Sequence, residues 1–190
     1  MNEKSNKVKF GISNLHIAKL NESEDGTITY GTPFKLPGAV SLTSDPEGDT
    51  NPFKADNITF YTSTTNNGYS GDLEVAMIND DFRQQILGQI KDSMGVLFES
   101  SDDVNSRFAM MCEIEGDIKK RRVLYYDCKA NRPSTEAKTV EDNIEPNTDS
   151  IAITMNPRTT DRLVKCVIEP SEENKEIYEK FFESVYERTV

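Results

Sequence analysis

The sequence has few of the residue types on which most catalytic and metal-binding sites depend. Among 190 residues there is no tryptophan, there are three cysteines, and His16 is the single histidine. Cys112, Cys128 and Cys166 are too far apart for a Cys-x-x-Cys motif, and their odd number argues against a disulfide scaffold. We therefore expect a reducing compartment in which the cysteines are small buried apolar residues.

The single histidine also restricts nucleophilic catalysis. Any Ser-His-Asp or Cys-His mechanism would have to use His16, which falls in a predicted strand on the face opposite Leu15 and Ile17. We expect His16 to face solvent.

Adjacent carboxylates do not predict a glycosidase, because that mechanism needs two carboxyl groups at a set separation across a cleft. Helix starts and solvated loops explain such pairs better; they are Asp80-Asp81, Asp102-Asp103 and Glu172-Glu173. The segment Asp45 to Asp49 lacks the ligand spacing of a calcium loop, and no glycine-rich phosphate loop follows a strand. We expect no enzyme activity, no cofactor and no metal.

Basic residues are in deficit. There are 22 Lys and Arg against 33 Asp and Glu, a net charge of −11, which repels phosphate backbones and argues against a conventional DNA-binding module. The run Lys119, Lys120, Arg121 and Arg122 is the exception. It fits a solvated hairpin tip, or a charged contact with an acidic face of an identical neighbour.

Long apolar runs are also missing. Nothing approaches the ~20 apolar residues that span a bilayer, and the polar start MNEKSNK does not resemble a signal peptide. We expect a soluble chain without membrane contact, a flexible tail over residues 1–7 and a single domain over residues 8–190.

What the sequence does contain is alternation typical of antiparallel strands. Leu15 and Ile17 precede an Asp-Gly turn, and Ile28 and Tyr30 follow it, which predicts a hairpin. A second hairpin is predicted with its turn at Asn66-Asn67-Gly68, so that the strands around Ile58 to Thr62 and Leu73 to Met77 pair with each other. Further strands are predicted at residues 40–43, 107–115, 123–130, 151–155 and 163–168. Residues 132–150 fit either a loop or a solvated edge strand.

Three other segments complete the predicted architecture. Residues 44–57 read as a long polar loop with Phe53 as its one large apolar side chain. Asn79 is a predicted cap for a helix whose apolar positions are Phe82, Ile86, Leu87 and Ile90. Ser171 is a predicted cap for a C-terminal helix over residues 172–187, with an apolar stripe of Ile177, Phe181 and Val185. The predicted fold class is mainly β (α+β), with two packed antiparallel sheets, a flanking helix and a C-terminal helix.

The order of many short motifs resembles the major tail protein, or tail tube protein, family of Gram-positive siphophages over nearly the full length. These motifs include Val8 to Gly11, Ala18 to Leu20, Tyr30 to Pro33, Pro37 to Ala39, Asp45 to Gly48, Ala55 to Asn57, Asn66 to Tyr69, Gly71 to Glu74, Asp81 to Arg83, Ile86 to Gly88, Asn131 to Ser134, Ile144 to Pro146 and Ser184 to Glu187.

The resemblance implies a virion structural protein without catalysis. It implies two packed β-sheets with a flanking helix, rings of six copies, and stacking of the rings into a tube that conducts the genome during ejection. The expected partners are the chain itself and the tape measure, tail tip and terminator proteins, with DNA passing through the lumen without specific binding. The expected location is the virion tail, assembled in the host cytoplasm.

Three surface roles follow as hypotheses. By analogy of position, the inter-ring contact is the loop carrying Asp45, Pro46, Glu47, Gly48, Asp49, Pro52 and Phe53. The lumen carboxylates are Asp72 and Glu74, because they fall on or near the polar face of an alternating strand. The basic run at residues 119–122 is a subunit contact. The alternative function is a monomeric β-sandwich module that binds carbohydrate or a receptor and exposes clustered aromatic residues.

Overall fold

A computed structural model of the chain describes residues 11–116, 119–134 and 147–188. The flexible tail predicted for residues 1–7 lies outside these ranges, as does most of the segment between residues 132 and 150. The described chain is mostly strand, with antiparallel pairing and two short helices, which confirms the predicted mainly β class. No helix in these ranges is long and apolar enough to cross a bilayer.

The described residues form fourteen strands and two helices. In order they are β1 (Ile12–Glu22), β2 (Ile28–Tyr30), β3 (Phe34–Lys35), β4 (Ala39–Leu42), β5 (Asp45–Glu47), β6 (Thr50–Ala55), β7 (Ile58–Thr64), β8 (Gly68–Val75), α1 (Asp80–Gln85), β9 (Ile90–Lys91), β10 (Leu97–Phe98), β11 (Phe108–Ile114), β12 (Arg122–Ala130), β13 (Asp149–Met155), β14 (Lys165–Ile168) and α2 (Lys175–Glu179).

Ten of the strands form one hydrogen-bonded sheet that branches at β1, β8 and β12. One edge of β12 pairs with β11, while its other edge pairs with β14 at Arg122–Tyr125 and with β13 at Cys128–Ala130. The sheet curls so that β4 contacts β1; its main strand order is β2-β1-β11-β12-β13-β8-β4. Pairs β9–β10 and β6–β7 form two separate two-stranded sheets.

The central strands are buried on both faces because different parts of the chain cover each side. The larger cluster lies inside the curl, and its members include Ile17, Leu73, Phe82, Met110 and Ile153. On the other face, Ala109, Met111, Leu124 and Tyr126 are covered by Phe181 near the C-terminus. This arrangement explains why residues 108–112 of β11 are all apolar instead of alternating with polar residues.

Several local predictions are confirmed. Strands β1 and β2 form the first predicted hairpin, and Asn79 caps α1 by accepting a hydrogen bond from the Phe82 amide at 3.0 Å. Cys112 and Cys128 are buried, while Cys166 is half-buried. Helix α1 is shorter than predicted, since Ile90 lies in β9, beyond a left-handed turn at Gly88 (φ 78°).

The second predicted hairpin is wrong. Strand β7 pairs with β6, and β8 pairs with β13, β4 and β5. The turn lies at Asp56 and Asn57, whose φ angles of 51° and 64° are those of a two-residue type I′ loop. The Asn66-Asn67-Gly68 sequence is a junction between β7 and β8 on the same arm.

The predicted loop at residues 44–57 is also wrong, because it contains β5 and β6. These strands continue β4 into one arm of a long antiparallel ribbon, and β7 with β8 forms the other arm. Between β5 and β6, the Asn67 amide donates to the Glu47 carbonyl at 2.8 Å and the Thr65 amide to the Asp49 carbonyl at 3.0 Å. At about 3.3 Å a residue, an arm of this kind is roughly 50 Å long.

The C-terminal helix predicted over residues 172–187 is reduced to α2. Ser171 and Asn174 bond reciprocally just before it, and turns follow it. Ile177 is 39% exposed, whereas Phe181 is buried against the sheet. Docking of the aromatic side chains on the sheet has overridden the helical pattern.

His16 lies on the predicted face of β1 but does not face solvent freely. Its ring stacks on Phe182 with centroids 4.7 Å apart, and its Nδ1 atom is 2.8 Å from the Asn14 carbonyl. The C-terminal segment, whose position the sequence does not predict, covers the His16 ring.

Candidate assembly surface

The outer part of the ribbon extends beyond the main sheet. Strand β13 pairs with β8 from Val75 to Tyr69 and ends there, so the ribbon has only two strands past Gly68. Strands β6 and β7 pair only with each other among the described strands. We call residues 50–64 the projecting hairpin.

One face of the projecting hairpin is apolar and uncovered. Phe53 lies opposite Tyr61, and Ala55 lies opposite Ile58. Directly opposite residues of an antiparallel pair share a face, so these four side chains form one patch. Phe53, Tyr61 and Ile58 are 61%, 63% and 63% exposed. A folded chain rarely leaves such a patch in water unless it has a partner.

The other face of the hairpin is polar. Pro52 lies opposite Thr62 and Lys54 lies opposite Thr59. Phe60 interrupts the register as an extra residue and is 72% exposed. Phe60 is therefore not a core residue.

The inner part of the ribbon presents carboxylates on its outer face. Leu73 and Val75 point into the core, so Asp72 and Glu74 project from the opposite side of β8. Asp45 lies opposite Ser70, and the Glu47 carboxylate accepts a hydrogen bond from the Ser70 hydroxyl. We call the surface formed by Asp45, Glu47, Asp72 and Glu74 the acidic face.

Glu74 is held in its ionised form. Its carboxylate accepts hydrogen bonds from the Thr148 hydroxyl at 2.5 Å and the Ser41 hydroxyl at 3.0 Å, which lower its pKa from the usual value. Ser150, Ala152 and Thr154 of β13 continue this face with uncharged side chains. Lys129, opposite Thr154, brings a positive charge to its margin.

The structure divides the residues of the predicted contact loop between these two surfaces. Asp45 and Glu47 join Asp72 on the acidic face, whereas Pro52 and Phe53 lie on opposite faces of the projecting hairpin. Pro46, Gly48 and Asp49 are exposed along the arm between them. Ile58 and Tyr61 are not among the predicted contact residues. The Asp56-Asn57 turn that brings them beside Phe53 is nevertheless a recognisable type I′ signal in the sequence.

The basic run contacts the C-terminal part of its own chain. Lys119 and Arg121 form ion pairs with Glu169. Arg122 is part of β12 and bonds to Glu113 at 2.9 Å, while the Lys120 carbonyl accepts a hydrogen bond from the Tyr178 hydroxyl. Several residues of the basic run therefore hold residues 169–178 in place.

Comparison with known proteins gives one family. A family model described as phage tail tube protein matches residues 1–180 of the chain. No curated protein matches the chain.

Proposed function

We propose, since the chain belongs to the phage tail tube protein family, that its copies close into rings and that the rings stack into a genome-conducting tube. Membership of the family makes the chain a structural component of the phage tail. Six copies to a ring is the number that the resemblance implies. Assembly would take place in the host cytoplasm, with the tape measure, tail tip and terminator proteins as further partners.

The apolar face of the projecting hairpin is the observation that supports stacking. Phe53, Ile58 and Tyr61 are exposed on strands that, among the described residues, pair with no strand of the main sheet. Burying each of them against a neighbour would stabilise the contact by roughly 1.5–3 kcal/mol. We assign to this hairpin the inter-ring contact, together with the predicted residues Pro52 and Phe53.

The acidic face supports conduction. A basic wall would retain DNA, because each neutralised phosphate releases counterions and adds to affinity, whereas an acidic wall leaves DNA free to move. We propose that Asp72 and Glu74, with Asp45 and Glu47 beside them, face the lumen. We propose that Lys120, which is exposed at the β11–β12 turn, makes the predicted basic contact between subunits.

Negative-stain electron microscopy of the purified chain tests this function. We expect rings or tubes with a central hole, more readily at raised salt, because salt screens repulsion between subunits of net charge −11. The variant with Phe53→Ser and Tyr61→Ser should form rings that do not stack. A matched variant with Thr59→Ala and Thr62→Ala on the polar face should still form tubes.

Uniform monomers at every salt and protein concentration would contradict self-assembly. They would favour the alternative of a monomeric carbohydrate- or receptor-binding module. The exposed Phe53–Tyr61 pair is the one observation that suits that alternative, because clustered aromatic residues bind sugar rings and protein surfaces.

A further inference from the structure

We propose that the apolar face of the projecting hairpin is seated in an apolar pocket beside β4 of a second copy. The inference rests on the proposed function, because it names the receptor for the inter-ring contact. Two separate surfaces of one chain would then meet head to tail.

The pocket lies where the curled sheet does not close. Strands β1 and β4 contact each other, but no described pairing joins them. The gap is an open pocket of about 350 Å³, and its apolar lining includes Ile12, Val40, Leu42, Ile114, Val123 and Tyr125. A cavity of about 150 Å³ already accommodates benzene, so this pocket has room for an aromatic ring.

The pocket is suited to an apolar occupant. The hydroxyl group of Tyr125 donates to the Ser44 hydroxyl at 3.2 Å, so these two polar groups of the wall already pair with each other. Val40 is 47% exposed at the mouth. Val167, directly opposite Val123 on β14, is 52% exposed and extends the apolar rim.

Charge complementarity favours the hairpin as that occupant. Lys165 stands beside the pocket wall, with its Nζ atom 4.2 Å from the centre of the Tyr69 ring and 6.0 Å from that of Tyr125. The tip of the hairpin carries Asp56, whose side chain is exposed. An apolar face with an acidic tip therefore matches an apolar pocket with a basic margin.

The ribbon also places the two surfaces at opposite ends. Val40 and Leu42 lie at the β4 end, and the arm continues through β5 and β6 to the tip at Asp56. A contact between different surfaces of identical subunits does not close on itself as a two-fold dimer does. It propagates as a ring or a filament.

Disulfide cross-linking of mixed copies tests the contact. One copy would carry Tyr61→Cys, and a second copy, made longer by a tag, would carry Val40→Cys. The two copies would be mixed under assembly conditions and oxidised. Thr62→Cys on the polar face is the matched control. We expect roughly tenfold more mixed dimer for Tyr61→Cys than for Thr62→Cys, because docking raises the local concentration of the paired thiols.

A second variant needs no cross-link. Val40→Glu places a charge at the mouth of the pocket, and we expect it to raise the concentration needed for tubes roughly tenfold, with rings and thermal unfolding unchanged. Val104→Glu, at a position that is 80% exposed, is the control and should assemble normally.

The outcomes separate this inference from the proposed function. Tubes with equal cross-linking at Tyr61→Cys and Thr62→Cys, or with normal stacking of Val40→Glu, would overturn the pocket contact alone. A dominant dimer of two Tyr61→Cys copies would overturn it in favour of hairpin-to-hairpin pairing. Failure of the unmodified chain to assemble would overturn the proposed function itself.

Discussion

The guanidinium carbon of Arg122 lies 3.8 Å from the centre of the Tyr178 ring. The same guanidinium bonds to Glu113 at 2.9 Å and donates to the Tyr178 carbonyl. Because Arg122 belongs to β12 and Tyr178 to α2, this stack anchors the C-terminal segment on the sheet. The basic run of the sequence thus has a structural role within the chain.

Arg122→Ala should therefore loosen the C-terminal segment. We expect a loss of about 2–3 kcal/mol in the free energy of unfolding, from one stacked cation and its charged hydrogen bonds. Arg122→Lys should recover only part of it, because an ammonium lacks the planar fork. Urea unfolding measures the loss, and limited proteolysis should show earlier cleavage after residue 168. Arg132→Ala, at an exposed arginine that lies 3.6 Å from the Glu99 carboxylate, is the control and should change little.

Gly71→Ala should disturb the ribbon. A Cβ atom at this position would collide with the Thr43 carbonyl, which belongs to the backbone linking β4 to β5. We expect a loss of about 1–3 kcal/mol in unfolding free energy, since the two arms must separate to admit a methyl group. At Gly31 the nearest atom to a new Cβ would be 3.7 Å away, so Gly31→Ala should be nearly neutral. Equal losses at both positions would contradict the close approach.

Stability should fall at alkaline pH through Tyr30. Burial raises the pKa of Tyr30 to about 12, and its hydroxyl group donates to the Tyr126 carbonyl at 3.0 Å. The unfolded chain loses this proton near pH ~10. The stability contributed by the neutral phenol is therefore complete below that pH and is lost as the pH rises toward 12.

Tyr30→Phe should reduce that loss. At neutral pH the variant should cost about 1 kcal/mol for the missing hydrogen bond. Between pH 9 and pH 11 its unfolding free energy should fall less steeply than that of the unmodified chain. A fall that is identical in both proteins would show that Tyr30 does not contribute to the alkaline sensitivity.

Reversal of charge on the acidic face should slow genome passage. Asp72→Lys changes an exposed side chain of β8 without removing a core contact, and tubes should still form. We expect slower ejection in particles that carry it, with the delay reduced at high salt because DNA attraction is screened. Asp102→Lys, in an exposed loop, is the control because it makes the same change in net charge. It should leave the rate of ejection unchanged if Asp72 faces the lumen.

Elements that depend on residues close together in the sequence were predicted correctly, whereas a pairing that depends on distant residues was not. The cap at Asn79 and the β1–β2 hairpin depend on residues within a few positions of each other, and both are present. The pairing of β7 was misassigned because two polar turns competed, and the Asn-Gly pair is the more familiar signal. Only partners farther along the chain distinguish them, since β13 and β4 occupy the two edges of β8 and leave none for β7.

The sequence by itself determined the β class, the acidic character, the cap of α1 and the resemblance to the tail tube family, because these depend on composition and local pattern. The tertiary structure decided what lies next to what. In the folded chain, Asp45 and Glu47 lie on the same face as Asp72 and Glu74. Phe53 and Tyr61 are exposed together, and Phe181 packs against Leu124. The physical reason is that register and burial depend on long-range pairing, in which the same alternation serves a buried strand or a projecting one.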